Sequence, residues 1–238
     1  MIIIPSRKVI FIHLHKCGGT SVETAYEKVA RYDDLILGGT VPGSVEQYYH
    51  TKFGLHKHSS IDNLIECMGR QTYDQMEVFC LVRNPFKIYQ SFYSYIERTF
   101  EKAAQQHKRA VDWIRQQVDK GSIKIGFANW PISHAYARTE TFEEFIEYFV
   151  KRNRPILLPM YDNLKLGNPE LRPKHIYKIE NIGDFWPAFS EAVGMIVAPE
   201  RTNVSALREF YWSPGHIDFL YAKHGPEMEY FGYSYENR

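Results

Sequence analysis

Apolar positions along the chain follow two spacings, and they switch several times. Lys8 to Leu14 (KVIFIHL) is an unbroken run rich in β-branched and aromatic residues, the pattern of a buried strand. Residues 15–19 form a tight glycine loop, and Thr20 or Ser21 caps a helix over SVETAYEKVARY, where Val22, Ala25, Tyr26 and Val29 recur at helical spacing. Residues 37–44 (LGGTVPGS) read as loop, and Lys52 to His58 (KFGLHKH) as a short strand. Ser59 or Ser60 then caps a helix over IDNLIECMG, with Ile61, Leu64, Ile65 and Met68 on one face and Gly69 as its stop.

Glu77 to Val82 (EVFCLV) is a second buried strand, and Pro85 stands at the first position of the helix that continues through FKIYQSFYSYIERTF. More helix is expected within 101–119, and loop over 121–139. Thr141 caps FEEFIEYFVKR, a proline-rich loop covers 153–173, and His175 to Ile179 forms a third strand. Helices around DFWPAFSEAV and near 215–224 complete the pattern. Alternation of strand and helix predicts an α/β fold with a mainly parallel sheet. With no break in composition, the expectation is a single domain over 1–238.

Composition narrows the chemistry. A formal charge of +1 over 238 residues gives no global field for nucleic acid or membranes, so any basic site is local and no nucleic-acid partner is expected. Cys17, Cys67 and Cys80 have neither a disulfide-framework spacing nor a CxxC pair. No apolar run is long enough for a membrane span, and MIIIPSRKVIFIHL lacks the order of a signal peptide. A reducing cytoplasm is the expected compartment.

Two motifs carry chemistry. HLHKCGGTS joins a strand to a helix through two glycines, which is the geometry of a phosphate cradle. Backbone N–H groups and the helix dipole favour an anion there, Gly18 and Gly19 permit close approach, Thr20 and Ser21 add hydroxyls, and Lys16 adds charge. Because the lysine precedes the glycines, the loop departs from the GxxxxGK[ST] order of nucleoside triphosphatases. The second motif, CLVRNPFKIYQS, puts Arg83 at the end of a buried strand and Ser91 eight residues on, in the next helix. Arginine at that position faces the ligand edge of an α/β sheet and suits a phosphate dianion. The alternatives are a plain turn with a surface lysine, and an arginine paired with a carboxylate.

Taken together, the two motifs resemble the sulfotransferases that use 3′-phosphoadenosine 5′-phosphosulfate (PAPS), and most closely their carbohydrate (heparan/chondroitin-type) branch. FIHLHKCGGTS resembles the 5′-phosphosulfate loop of that family, and FCLVRNPFKIYQSFYSY its 3′-phosphate motif. HIYKIENIGDFW, RTNVSALREFY and FGYSY resemble its later segments, so the likeness runs from residue 9 to 235, with 97–139 unmatched. One departure is His15, where many relatives have proline. The resemblance implies a P-loop-like three-layer sandwich that binds PAPS, leaves 3′-phosphoadenosine 5′-phosphate (PAP) as product and needs no metal. The implied nucleotide-binding residues are Lys16, Cys17, Gly18, Gly19, Thr20, Ser21, Arg83 and Ser91, with Arg201 and Ser205 in a closing loop. The implied reaction is in-line sulfuryl transfer to a hydroxyl, in which Lys16 stabilises the leaving phosphate.

Such transfer needs a base, and a histidine suits it. His56 and His58 lie between the two motifs and, on an extended segment, project to one face. The pair also reads as half a metal site. Glu23 is the alternative base, though its place on the first helix reads as exposed, and His13 reads as packed. The acceptor is expected to be a carbohydrate or small molecule. The aromatics of 92–95 and 126–139 suit sugar stacking or the core equally. Asn203–Val204–Ser205 fits a glycosylation sequon that the expected compartment leaves unused, and a bacterial enzyme is the expected source. A nucleotide kinase or NTPase, and a non-catalytic nucleotide-binding module, are the alternatives.

Overall fold

A computed structural model describes residues 1–38, 43–123, 125, 131–199, 208 and 210–238. In chain order the elements are β1 (Ile2–Ile4), β2 (Val9–Ile12), α1 (Gly19–Glu27), β3 (Leu35–Ile36), α2 (Gly43–Phe53), α3 (Ile61–Met68), α4 (Arg70–Tyr73), β4 (Glu77–Val82), α5 (Pro85–His107), α6 (Val111–Asp119), α7 (Pro131–Ala137), α8 (Phe142–Val150), α9 (Met160–Asn163), β5 (His175–Lys178), α10 (Ile182–Val193) and α11 (Pro214–Phe231). The chain groups into two compact units, Met1–Arg83 with Met160–Val204 and Asn84–Pro159 with Ser205–Arg238.

The first unit is α/β. Its five-stranded sheet runs β3-β1-β2-β4-β5 and is mixed. β2 pairs with β4 and β4 with β5 in parallel, while β1 runs antiparallel to both of its neighbours. The parallel half comes from the three runs that read as strands. Ile2–Ile4 had no place in that reading, yet it turns back through Pro5–Arg7 and pairs with β2. Phe11 of β2 and Phe79 of β4 pack on Phe185 and Phe189 of α10 at ring separations of 5.5–6.4 Å, and Tyr26 of α1 reaches Phe189 at 6.0 Å. These rings are fully buried and form the core beneath the sheet's ligand edge.

Local signals start and stop the helices as their chemistry requires. Ser60 caps α3 in a reciprocal box with Asn63, and Gly69 ends it at φ +80°. The KFGLHKH stretch is not a strand: α2 runs through Phe53, and residues 54–58 turn. His56 and His58 therefore do not share a strand face, and their relation rests on the turn.

The second unit is helical among its described residues. Asn84 caps α5 by accepting from Phe86 N at 3.0 Å, with Pro85 at the first position, and Thr141 caps α8. The expected loop over 121–139 contains α7, and α11 continues past Pro226 to a left-handed Gly232 cap. The aromatics of 92–95 are largely core: Phe92 and Tyr93 are buried, and Tyr93 meets Phe142 and Phe145 edge-on at 5.4 and 5.2 Å. Tyr136 is buried as well, whereas 126–130 lie outside the described residues.

A buried polar chain ties this unit together. Glu227 accepts from His224 Nδ1 at 2.7 Å, His224 Nε2 lies 3.1 Å from the Tyr89 hydroxyl, and that hydroxyl accepts from Ile156 N at 3.2 Å. The carboxylate fixes the imidazole with its proton on Nδ1, so the tyrosine donates to Nε2. Tyr89→Phe removes the hydroxyl that two groups bond. The expected loss is about 1–3 kcal/mol of unfolding free energy by urea denaturation, and an unchanged midpoint contradicts the chain's role.

Candidate functional site

The candidate site is built by the segment that leaves β2. After Ile12 the chain passes through His13 and turns with Lys16 at φ +61° and Gly18 at φ +83°, and α1 begins at Gly19. A left-handed lysine is uncommon, because its Cβ crowds the backbone. The glycines have specific causes. A Cβ on Gly19 would overlap the His13 ring, and one on Gly18 would press on Ile179. Ser21 N closes the turn on Gly18 O at 3.0 Å. Arg83, at the end of β4, donates from Nη1 to Lys16 O at 3.1 Å. The loop thus sits at the C-terminal edge of β2, β4 and β5, where open α/β sheets hold ligands. Cys17 is buried, with its thiol directed to His15 O at 3.3 Å, so any contact it makes to an anion is through its backbone. Thr20 and Ser21 are partly exposed on the first turn of α1.

Histidines close over this loop. The His15 and His58 rings stack at 3.5 Å between centroids, and His13 meets His58 edge-on at 4.8 Å. Hydrogen bonding then separates the two candidate bases. His58 Nδ1 lies 2.7 Å from His13 O, and a carbonyl only accepts, so Nδ1 carries the proton and Nε2 the lone pair. His56 is the reverse: its Nδ1 accepts from His58 N at 3.1 Å, so the neutral ring has its proton on Nε2. The His58 ring stacks on His15, the loop residue that precedes Lys16.

Burial keeps these rings neutral. His13 is depressed to about 4 by burial, against the raising effect of Glu23, and His15 to about 3 by burial and then by neighbouring His13 and His56. His58 is held far below its ordinary value by burial, with His15 and His13 adding to the effect, and His56 is lowered by burial and His50.

Glu23 departs from the expectation of an exposed helical residue. It is fully buried, because its partners are brought to it from distant parts of the chain. Oε1 lies 2.5 Å from His13 Nδ1 and 2.7 Å from the Met1 ammonium, and Lys57 Nζ lies 3.1 Å from Oε2. The His13 hydrogen bond first, then the Met1 amino group and Lys57, overcome burial, so the carboxyl lies below its ordinary value and stays ionised, while burial lowers the Met1 amino group itself to about 6. Its Oε2 has no hydrogen bond and meets Lys57 only as an ion pair, but full burial places the carboxylate badly to meet a substrate hydroxyl. The signal that marks it in the sequence is its position on the inward face of α1, next to Val22 and Tyr26.

Ser91 lies on α5 of the second unit and is partly exposed. Arg201 and Ser205, with Asn203, lie outside the described residues. Among the described residues, no group of three or more His, Cys, Asp or Glu is arranged to hold a metal ion, and no helix is long and apolar enough to cross a membrane. In comparisons with known proteins, no family model, curated protein or solved structure matches the chain.

The neutral rings impose an acid limit. Each histidine's folded pKa lies below its ordinary 6.5, so the unfolded chain binds more protons in between. Stability from these sites is complete above about pH 6.5 and falls as pH drops through the window toward the folded values. Urea denaturation from about pH 7.5 down to about pH 5 is expected to show the loss, and His15→Gln to reduce it by about 1–2 kcal/mol. Parallel pH profiles for the two proteins contradict this.

Proposed function

We propose that the chain is a PAPS-dependent sulfotransferase acting on a hydroxyl acceptor of the carbohydrate class, with its sheet forming the core of a P-loop-like three-layer sandwich. One observation carries the reading. A lysine–glycine–glycine–hydroxyl loop, an arginine from the next parallel strand and a histidine with an available Nε2 lone pair converge at a single sheet edge.

The donor set fits a phosphosulfate. Left-handed Lys16 and Gly18 lead into a nine-residue helix starting at Gly19, whose N-terminus favours an anion, and glycine is required where a Cβ would collide. Lys16, Gly18, Gly19, Thr20 and Ser21 would hold the 5′ end, and Arg83 the 3′-phosphate. Ser91, Arg201 and Ser205 keep the roles that motif resemblance gives them. When bound, PAPS supplies an activated sulfuryl group on a phosphate leaving group.

The residues then divide the work. Lys16 and the loop N–H groups neutralise charge on the departing phosphate oxygen. His58 Nε2 accepts the proton of the acceptor hydroxyl as that oxygen bonds to sulfur, and His13 O holds the Nδ1 proton in place. A base so depressed in pKa is weak by itself. An anion held in the loop would raise it by Coulomb attraction. No metal has a role in this scheme.

The test is transfer of label from 35S-PAPS to a panel of unsulfated oligosaccharides, with EDTA present. The wild-type protein is expected to transfer label. Lys16→Ala and His58→Ala are expected to lose about 100-fold or more, and His56→Ala less than about tenfold. Undiminished transfer in Lys16→Ala, or a greater loss in His56→Ala than in His58→Ala, overturns these roles.

A further inference from the structure

The Glu23 carboxylate is bonded on both sides to the segments that position His58. On one side it accepts from the ring of His13, whose own backbone carbonyl accepts the His58 Nδ1 proton at 2.7 Å. On the other it pairs with Lys57, the residue preceding His58 in the turn. The backbone of Lys57 is held independently, donating to Glu46 Oε1 at 2.9 Å, and His56 N donates to Ser59 Oγ at 2.8 Å. Neighbouring backbone blocks rearrangement of the carboxylate and the ring: a Cβ at Gly38 would overlap Glu23, and one at Gly19 would overlap His13. One buried anion therefore ties together the acceptor and the donor segment of the hydrogen bond that sets the His58 tautomer.

We propose that Glu23 is a positioning residue that, through His13 and Lys57, holds His58 with its proton on Nδ1 and its lone pair on Nε2, with the ring stacked on His15. The role of His58 as base rests on the sulfotransferase reading above. The tautomeric control does not, since it concerns groups inside this chain. Glu23 touches neither substrate nor reacting atoms and acts only through its neighbours. The charged and titratable groups around the pair are the Met1 ammonium, His13 and Lys57 at Glu23, and His13, His15 and Lys57 at His58.

Two properties separate positioning from mere support of the fold. A carboxylate that only stabilises the unit affects unfolding and leaves the His58 tautomer alone. A carboxylate that positions His58 affects the tautomer in a protein that still folds and still binds anions at the loop.

The experiment is nitrogen-15 NMR of histidine-labelled full-length protein at neutral pH, on wild type, Glu23→Gln and Lys57→Met, with PAP titration of each. Wild type is expected to show His58 as one tautomer, protonated at Nδ1. Both variants are expected to show a mixture of tautomers, with PAP affinity within about threefold of wild type, because the loop glycines and Arg83 are untouched. Where Glu23→Gln fails to fold, Lys57→Met carries the test, since it leaves the Glu23–His13 bond in place. A His58 tautomer unchanged in the folded variant or variants overturns the proposal. Wild-type protein that fails to bind PAP counts against the sulfotransferase reading while leaving the tautomer result readable.

Discussion

A single buried carboxylate organises the C-terminal edge of the sheet in the first unit. Glu23 is taken wholly out of water, and an imidazole N–H, a lysine and the Met1 amino group surround it. Those partners come from residues 1, 13 and 57, so the ion cluster gathers β1, the exit of β2, α1 and the histidine turn at one point. Removing any one partner from such a cluster leaves charge buried without compensation, which is far more costly than the net value of the intact set. The cluster therefore specifies one arrangement, whatever its net contribution to stability.

The functional features are consequences of that arrangement. His13, bonded to Glu23, fills the space that a Cβ at residue 19 would need, which makes glycine obligatory there. The carbonyl of the same residue decides which nitrogen of His58 carries a proton. Arg83 reaches the loop from the neighbouring strand and fastens the carbonyl of left-handed Lys16, so the strained turn is held from a second direction. Burial of three imidazoles keeps them neutral. That burial leaves the ring nitrogens unprotonated at physiological pH, and it also makes the unit sensitive to acid.

Much of this was legible in the sequence wherever the signal was local. EVFCLV is bounded and apolar, and it forms β4 over those same residues. The Ser60 box, Pro85 at a first helical position and the Thr141 cap are short-range chemistry and were readable as such. HLHKCGGTS and Arg83 likewise meet at the sheet edge, because a strand–loop–helix and a strand-ending arginine carry their geometry with them. What escaped was non-local. Strand β1 is three residues long and is defined by its antiparallel partners, not by its own pattern. Glu23 looks like any polar helical residue until the groups that surround it are folded in. The turn of 54–58 imitates alternation, so a shared strand face was expected for His56 and His58 where hydrogen bonds instead give the two rings opposite tautomers. At α7, glycine and aromatic residues nearby masked a short helix whose buried Ile132, Ala135 and Tyr136 follow helical spacing.

Calorimetric titration with PAP, against ATP with and without magnesium, tests the proposed anion cradle for a nucleotide with phosphates at both ends. Metal-independent binding of PAP at least about 100-fold tighter than that of ATP is expected, an affinity difference of about 2.7 kcal/mol. Equal affinity for the two, or tight binding only of ATP with magnesium, would contradict it.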